Sequence, residues 1–250
     1  MSPVDVLVLF LLRSKREHYK LNLNRFDFCL LWLRSSLGQR ELEKVSSMLM
    51  FWKERLTILA VPKTGTTALE DALGAAADMV VRDPPQLKHA PMYRYNRFFR
   101  PMFEKQGAED METFAIIREP VAWLSSWYRY RARPFMQGKA NYTGDMSFDD
   151  FVDAYCKGHK PGFANVGSQA KFLEPRPNGV AIHHLYRYDD FAAAVDFLEK
   201  RLSRDINLTK QNVSPMQETR LSAQTEEKLR RKRHEEFELY ASIPDGGWHA

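Results

Sequence analysis

The stretch TILAVPKTGTTAL, residues 57–69, constrains this chain more than any other. Thr57, Ile58, Leu59, Ala60 and Val61 form a short apolar and β-branched run stopped by Pro62, the pattern of a buried strand in a parallel sheet. Ala68, Leu69, Ala72 and Leu73 then fall at helical spacing, so a helix opens near Thr66 or Thr67. Between strand and helix lies Lys63-Thr64-Gly65-Thr66-Thr67. A helix N-terminus carries unpaired N–H groups and a partial positive charge, which suits an anion. Thr66 and Thr67 add hydroxyl donors, Lys63 adds an ammonium, and Gly65 lets backbone and ligand come close. On these residues alone a second reading stays open, an N-cap threonine beside a solvent-facing lysine. The pattern GxxxxGK[ST] occurs nowhere, and the lysine precedes the glycine, which argues against an ordinary ATPase or kinase.

A second element has the same design. TFAII, residues 113–117, reads as a strand ending in Arg118-Glu119-Pro120, and a helix follows over 120–131 with proline in its first turn. Ser126 lies eight positions after Arg118, so the two can converge on one anion, the arginine through its fork and the serine through its hydroxyl. The alternative for Arg118 is an ion pair with Glu119 or another carboxylate. Trp123, Trp127, Tyr128 and Tyr130 read as packing residues. Two anion-binding strand ends, at Lys63 and Arg118, suit a nucleotide with phosphate at both ends better than a triphosphate lying along one loop.

A chain of 250 residues with 44% hydrophobic and 28% charged residues is ordinary for one sizeable α/β domain, with or without a lid. The net charge of +5 is a mild bias towards anionic ligands and does not separate nucleotide from nucleic acid or membrane. Cys29 and Cys156 alone exclude a disulfide framework and a cysteine-rich zinc site, and they fit a reducing compartment. Residues 1–47 differ in texture. Their apolar runs, 4–12 and 26–33, are broken by Asp5 and Asp27 and fall short of the roughly 20 residues of a membrane span. Positive charge follows the first run instead of preceding it, unlike a signal peptide. They read as an amphipathic surface extension, a docking helix or, preferably, sequence upstream of a true start at Met48 or Met50. The expected domain is 48–245.

Further strands are expected at 79–82, stopped by Asp83-Pro84-Pro85, and at 180–188, VAIHHLYRY, where Asp189 and Asp190 cap a helix to about Leu202. The basic and aromatic block 86–100, QLKHAPMYRYNRFFR, fits either a loop and helix over a cleft or RNA stacking, and the first is preferred. After loop-like 134–147, Ser147 opens a helix to about Cys156; the glycine-containing segment 158–167 reads as mobile, and 168–173 as a short helix. Residues 210–215 read as a loop, and 219–242 as one charged helix with a solvated basic cluster.

PKTGTTAL at 62–69 resembles the 5′-phosphosulfate loop of sulfotransferases that use 3′-phosphoadenosine 5′-phosphosulfate (PAPS). REPVAWLSSWYRY at 118–130 is similar to their 3′-phosphate motif. LYRYDDF at 185–191, EEFELY at 235–240 and NVS at 212–214 add likeness, the last two to the Golgi-type and bacterial branch. The resemblance covers about 50–240 and implies a P-loop NTPase-like three-layer α/β sandwich, its central, mainly parallel sheet flanked by helices. It also implies PAPS as co-substrate, no metal, and transfer to a hydroxyl or amine of a carbohydrate, lipid, peptide or small molecule. Carried over, Lys63 stabilises the bridging oxygen of the departing phosphate. Pro62, Thr64, Gly65, Thr66 and Thr67 form the 5′-phosphate loop, Arg118 and Ser126 hold the 3′-phosphate, and Tyr188 lies near the adenine. A base is needed for the acceptor proton. His89, 26 residues after Lys63, is the candidate, against a structural histidine; Asp83 is the second choice. His183 and His184 sit on a strand, His234 on a charged helix, His159 in the glycine segment, and His18 and His249 near the ends. A nucleotide kinase and a non-catalytic nucleotide- or RNA-binding module are the rival readings. The expectation is a cytoplasmic enzyme without a nucleic-acid partner, touching membrane only through 1–47.

Overall fold

The computed structural model describes residues 47–208 and 219–249. The runs at 4–12 and 26–33, the 210–215 loop and the NVS triplet lie outside them. Six strands form one sheet: β1 (Met48–Phe51), β2 (Leu56–Ile58), β3 (Met79–Val81), β4 (Glu112–Ile117), β5 (His184–Arg187) and β6 (Trp248–His249), in the order β3-β1-β2-β4-β5-β6. β2 pairs parallel with β4 and β4 with β5, while β1 is antiparallel to both β2 and β3, and β6 to β5. Hence β2, β3, β4 and β5 run one way. The helices that matter for the site and its support are α1 (Thr66–Leu73), α2 (Pro120–Arg131), α3 (Phe148–Tyr155), α4 (Gln169–Leu173), α5 (Phe191–Leu202), α6 (Ala223–Lys232) and α7 (His234–Ala241).

The strands alternate with period two between two apolar faces. Met48, Met50, Leu59, Val61, Ala115, Ile117 and Leu185 point to one side, where Met92, Tyr95, Phe99 and Phe103 of a helical stretch and Phe172 and Leu173 of α4 cover them. Leu49, Phe51, Ile58, Phe114, Ile116 and Tyr186 point to the other, beneath Leu69 and Leu73 of α1 and Ala194, Leu198 and Leu202 of α5. Each such side chain contributes roughly 1.5–3 kcal/mol by leaving water. The result is three layers, helix on sheet on helix. A satellite cluster built on Trp123, Tyr128, Phe151, Tyr155 and Leu229 joins α2, α3 and α6 beside the sheet.

Several elements depart from expectation for visible reasons. MLMF, at the expected start of the domain, is a strand that no periodicity marks, and it forms a hairpin with β2 in the register Leu49↔Ile58. All four of its residues are buried, so no polar alternation marks it. The 57–61 run keeps its ladder only to Ile58, although the Leu59 N–H still donates to the Phe114 carbonyl at 2.8 Å. Helix α1 stops at Gly74, and of 180–188 only His184–Arg187 pairs as a strand. Asp190 occupies the N-cap of α5 without capping it; its carboxylate accepts the Gly246 N–H, and Asp189 accepts the Tyr240 hydroxyl. The charged C-terminal helix is broken at Arg233, whose guanidinium donates to the Tyr155 and Lys157 carbonyls. That break turns α7 so that Glu236 accepts the first N–H groups of α4, those of Gln169 and Ala170. The 158–167 segment is pinned, its Gly162 and Phe163 carbonyls by Arg131 and its Gly167 carbonyl by the Tyr155 hydroxyl. Among the described residues no helix is long and apolar enough to cross a membrane.

Candidate functional site

Three consecutive carbonyls at the exit of β2 are held by three different parts of the chain. His89 Nδ1 is 2.7 Å from the Ala60 carbonyl oxygen. The Val61 carbonyl accepts the Thr64 hydroxyl at 2.8 Å and, more weakly, the Thr66 hydroxyl at 3.5 Å. The Pro62 carbonyl accepts the Trp123 indole N–H of α2 at 2.9 Å. The turn that follows uses two left-handed residues, Lys63 at φ 68° and Gly65 at φ 81°. A β-branched or bulky residue is disfavoured there and even lysine costs about 1 kcal/mol or more, so these contacts must hold the loop. Gly65, not a threonine, is the N-cap of α1. At Gly65 a methyl group would lie 2.7 Å from the Phe191 ring and 3.1 Å from Tyr188.

Around this loop the structure gathers positive charge. Burial first, then repulsion by Arg133, Arg118 and Arg129, lowers the Lys63 ammonium from 10.5 to about 8. Its Nζ stands 4.3 Å above the Tyr130 ring, not out in solvent. Arg118 is likewise lowered, chiefly by burial, and lies 4.5 Å over the Tyr188 ring. It has no ion-pair partner among the described residues; neighbouring Glu119 instead accepts the Ala122 N–H that starts α2. The Nε of Arg129 is buried without a hydrogen-bond partner. Ser126 is buried on the same helix and donates to no group among the described residues. Like charges this close in a low dielectric repel strongly, and buried donors left unmatched are costly. The arrangement is therefore complementary to a multiply charged anion.

Of the expected site residues, Pro62, Lys63, Thr64, Gly65, Thr66 and Thr67 form one turn, and Tyr188 bridges it to Arg118. The Thr64 side chain is fully buried on Val61, so what it offers an anion is backbone N–H rather than hydroxyl. His89 is tied to the same strand exit. Because a carbonyl only accepts, His89 Nδ1 carries the proton and Nε2 keeps a free lone pair. Burial is the main cause that lowers its pKa below 6.5, so the ring is neutral at pH 7. His183, His184 and His249 do other work. His184 joins Glu112 and His249, and His183 Nδ1 accepts the Thr113 N–H. Asp83 is exposed beyond β3.

Sequence reasoning missed Arg129, Arg133 and Gln169. The first two were findable: Ser126, Arg129, Tyr130 and Arg133 follow the i, i+3, i+4, i+7 rule and share one side. Gln169 carried no such signal. Its buried amide accepts the Arg118 N–H at 2.9 Å and donates to the Arg118 carbonyl at 2.8 Å, fixing the backbone from which that guanidinium springs. Among the described residues no group of three His, Cys, Asp or Glu side chains is placed to hold a metal ion.

The model of the sulfotransferase family matches residues 46–243, which includes the loop, the Arg118 strand end and the whole sheet up to β5. The chain belongs to the sulfotransferase family. No curated protein and no solved structure gives a match. Membership supports sulfotransfer in general, and it leaves the donor, the acceptor and the residues that hold them to be argued from this chain's own side chains.

Proposed function

We propose that the chain transfers a sulfuryl group from PAPS to a hydroxyl or amine. One observation carries the donor: two buried cationic strand ends, Lys63 and Arg118, joined by Arg129 and bridged by Tyr188, with no carboxylate among the described residues salt-bridged to either. The Lys63–Thr67 loop and the start of α1 would hold the 5′-phosphosulfate. Arg118, Ser126 and Arg129 would hold the 3′-phosphate, and Tyr188 would border the nucleoside. These groups fit a ligand charged at both ends, which the uncompensated cations require.

In the transfer, an acceptor O–H or N–H loses its proton to His89 Nε2 as its heavy atom bonds to sulfur. The sulfur–oxygen bond to the 5′-phosphate breaks, and Lys63 neutralises the charge that develops on that oxygen. The protein supplies position and electrostatics, and none of its atoms bonds to the group transferred. The Ala60 carbonyl keeps His89 in the tautomer this step needs.

Calorimetric titration with 3′,5′-bisphosphoadenosine, beside 5′-AMP and ATP, tests the donor. Tight bisphosphate binding that weakens at least tenfold in Arg118→Ala, with AMP binding weak throughout, is the expected result. Equal affinity for all three, unchanged by the substitution, would remove the 3′-phosphate site and PAPS with it.

A further inference from the structure

A cavity of about 350 Å³ lies beside the same strand exit, and its walls include Val61, Pro62, Pro91, Trp123, Ser168 and Gln169. Every one of these is one or two positions from, or hydrogen-bonded to, a part of the site. Pro62 adjoins Lys63 and takes the Trp123 indole, Pro91 lies two residues beyond His89, and Gln169 clamps Arg118. The cavity is thus placed for the second substrate.

Its remaining lining is largely apolar and aromatic, including Tyr93, Tyr155, Val166 and Phe172, and the charged groups among it are mostly cations. Lys160, Lys171 and Arg233 face it, against one carboxylate, Glu235. The Glu235 carboxylate is 3.6 Å from His234, and no ion pair joins it to the three cations. Lys160 Nζ sits 4.0 Å and the Arg233 guanidinium 5.1 Å over one buried ring, that of Tyr155. The Arg233 donors that are satisfied go to neutral carbonyls, and its Nε is buried with no partner. Burial and Arg233 together lower the Lys160 pKa, as expected when two cations share a desolvated site. Glu236, the other nearby acid, is buried against the Gln169 and Ala170 N–H groups at the start of α4, with its own pKa raised chiefly by burial.

We infer that this cavity binds an acceptor bearing an anionic group, which Lys160 and Arg233 anchor while the hydroxyl or amine to be sulfated is directed towards the Val61–Pro62 wall. The inference rests on the PAPS reading only for the chemistry that follows binding; the anchoring itself needs no donor. An uncharged acceptor of the same shape would leave two half-buried cations without a counter-charge and bind more weakly.

The test uses a matched pair of probes, 4-nitrophenyl β-D-glucuronide and 4-nitrophenyl β-D-glucoside, which differ in one carboxylate. Both are titrated into the wild type, Lys160→Gln and Lys171→Gln, with 3′,5′-bisphosphoadenosine titrated separately into each. The glucuronide is expected to bind at least tenfold more tightly than the glucoside, with that preference lost in Lys160→Gln and bisphosphate affinity unchanged. Equal binding of the two probes, or no binding of either, in protein that still binds the bisphosphate overturns the anionic acceptor and leaves the donor reading intact. A glucuronide preference in protein that ignores the bisphosphate supports the cavity assignment and overturns the donor.

Discussion

Donor binding should depend on pH through Lys63 alone, and with a sign opposite to its effect on stability. In the ligand-free fold the ammonium titrates near 8, not 10.5, because it is buried among three arginines. A bound phosphate reverses the local field and returns the lysine to its ordinary range or above. Binding above pH 8 then takes up about one proton, and affinity falls roughly tenfold per pH unit until 10.5 is approached. Between pH 7.5 and 9.5 the loss is about twentyfold, or about 1.8 kcal/mol. For the free protein the linkage runs the other way. The unfolded chain holds the proton between about 8 and 10.5 and the folded one does not, so in that window Lys63 makes ligand-free stability rise with pH. The assay is calorimetry with 3′,5′-bisphosphoadenosine at pH 7.5 and 9.5, in buffers of different ionisation enthalpy to count protons. Lys63→Met should bind weakly at both pH values with no uptake, and Lys63→Arg, which stays charged, should also be flat. A flat wild type, or a Lys63→Met variant that keeps the wild-type slope, would refute the argument.

Other consequences follow from single contacts. His89→Ala should lower kcat by about 10²–10⁴-fold in a sulfotransfer assay while leaving bisphosphate affinity within about twofold. Because burial lowers the His89 pKa, the acid limb of the wild-type rate profile should lie below pH 6.5. Gly65→Ala combines a left-handed φ with a 2.7 Å approach to Phe191 and should cost about 1–3 kcal/mol in denaturant unfolding, with weakened nucleotide binding. His89, His183 and His184 all have lowered pKa values, burial being the main cause of each. The unfolded chain therefore takes up protons first as pH falls below 6.5, and the melting temperature should drop between pH 6.5 and 5.5, before carboxylates protonate. His183→Gln should blunt that drop, since protonating Nδ1 displaces the Thr113 N–H it accepts.

What the sequence shows of this fold follows from how local each signal is. The Lys63 loop and the Arg118 strand end were legible because each packs its meaning into a dozen residues, an apolar run, a turn and a helical repeat. MLMF was not, because a strand buried on both faces loses its alternation and four residues carry no other mark. The break at Arg233 was hidden for a different reason. Charged residues dominate 226–236, interrupted only by Leu229 and His234, and what stops the helix is a pair of carbonyls on α3 and beyond it, about 77 residues away in sequence. The site divides along the same line. Residue types at 63–67, 118 and 126 could be read, whereas the partner that selects the His89 tautomer lies 29 residues upstream and the amide that fixes Arg118 lies 51 downstream.

The three carbonyls of Ala60, Val61 and Pro62 explain how a loop with this much strain and repulsion can stay in place. Left alone, a left-handed lysine beside three arginines would relax by moving the ammonium into water. It is prevented because each peptide preceding it is anchored to a separate element: the segment carrying His89, the loop's own threonines, and α2 through Trp123. Those anchors also set the relative positions of the lysine, the base candidate and the helix bearing Ser126 and Arg129 without any ligand. Most of the ordering is then complete before binding, and a charged ligand relieves repulsion in addition to making contacts. The same logic makes Trp123 a functional residue although it is buried and touches no open space at Lys63. Replacing it with phenylalanine removes the indole N–H on Pro62 together with part of the buried ring, so a loss of nucleotide affinity larger than the loss of stability would identify anchoring, rather than packing, as its role.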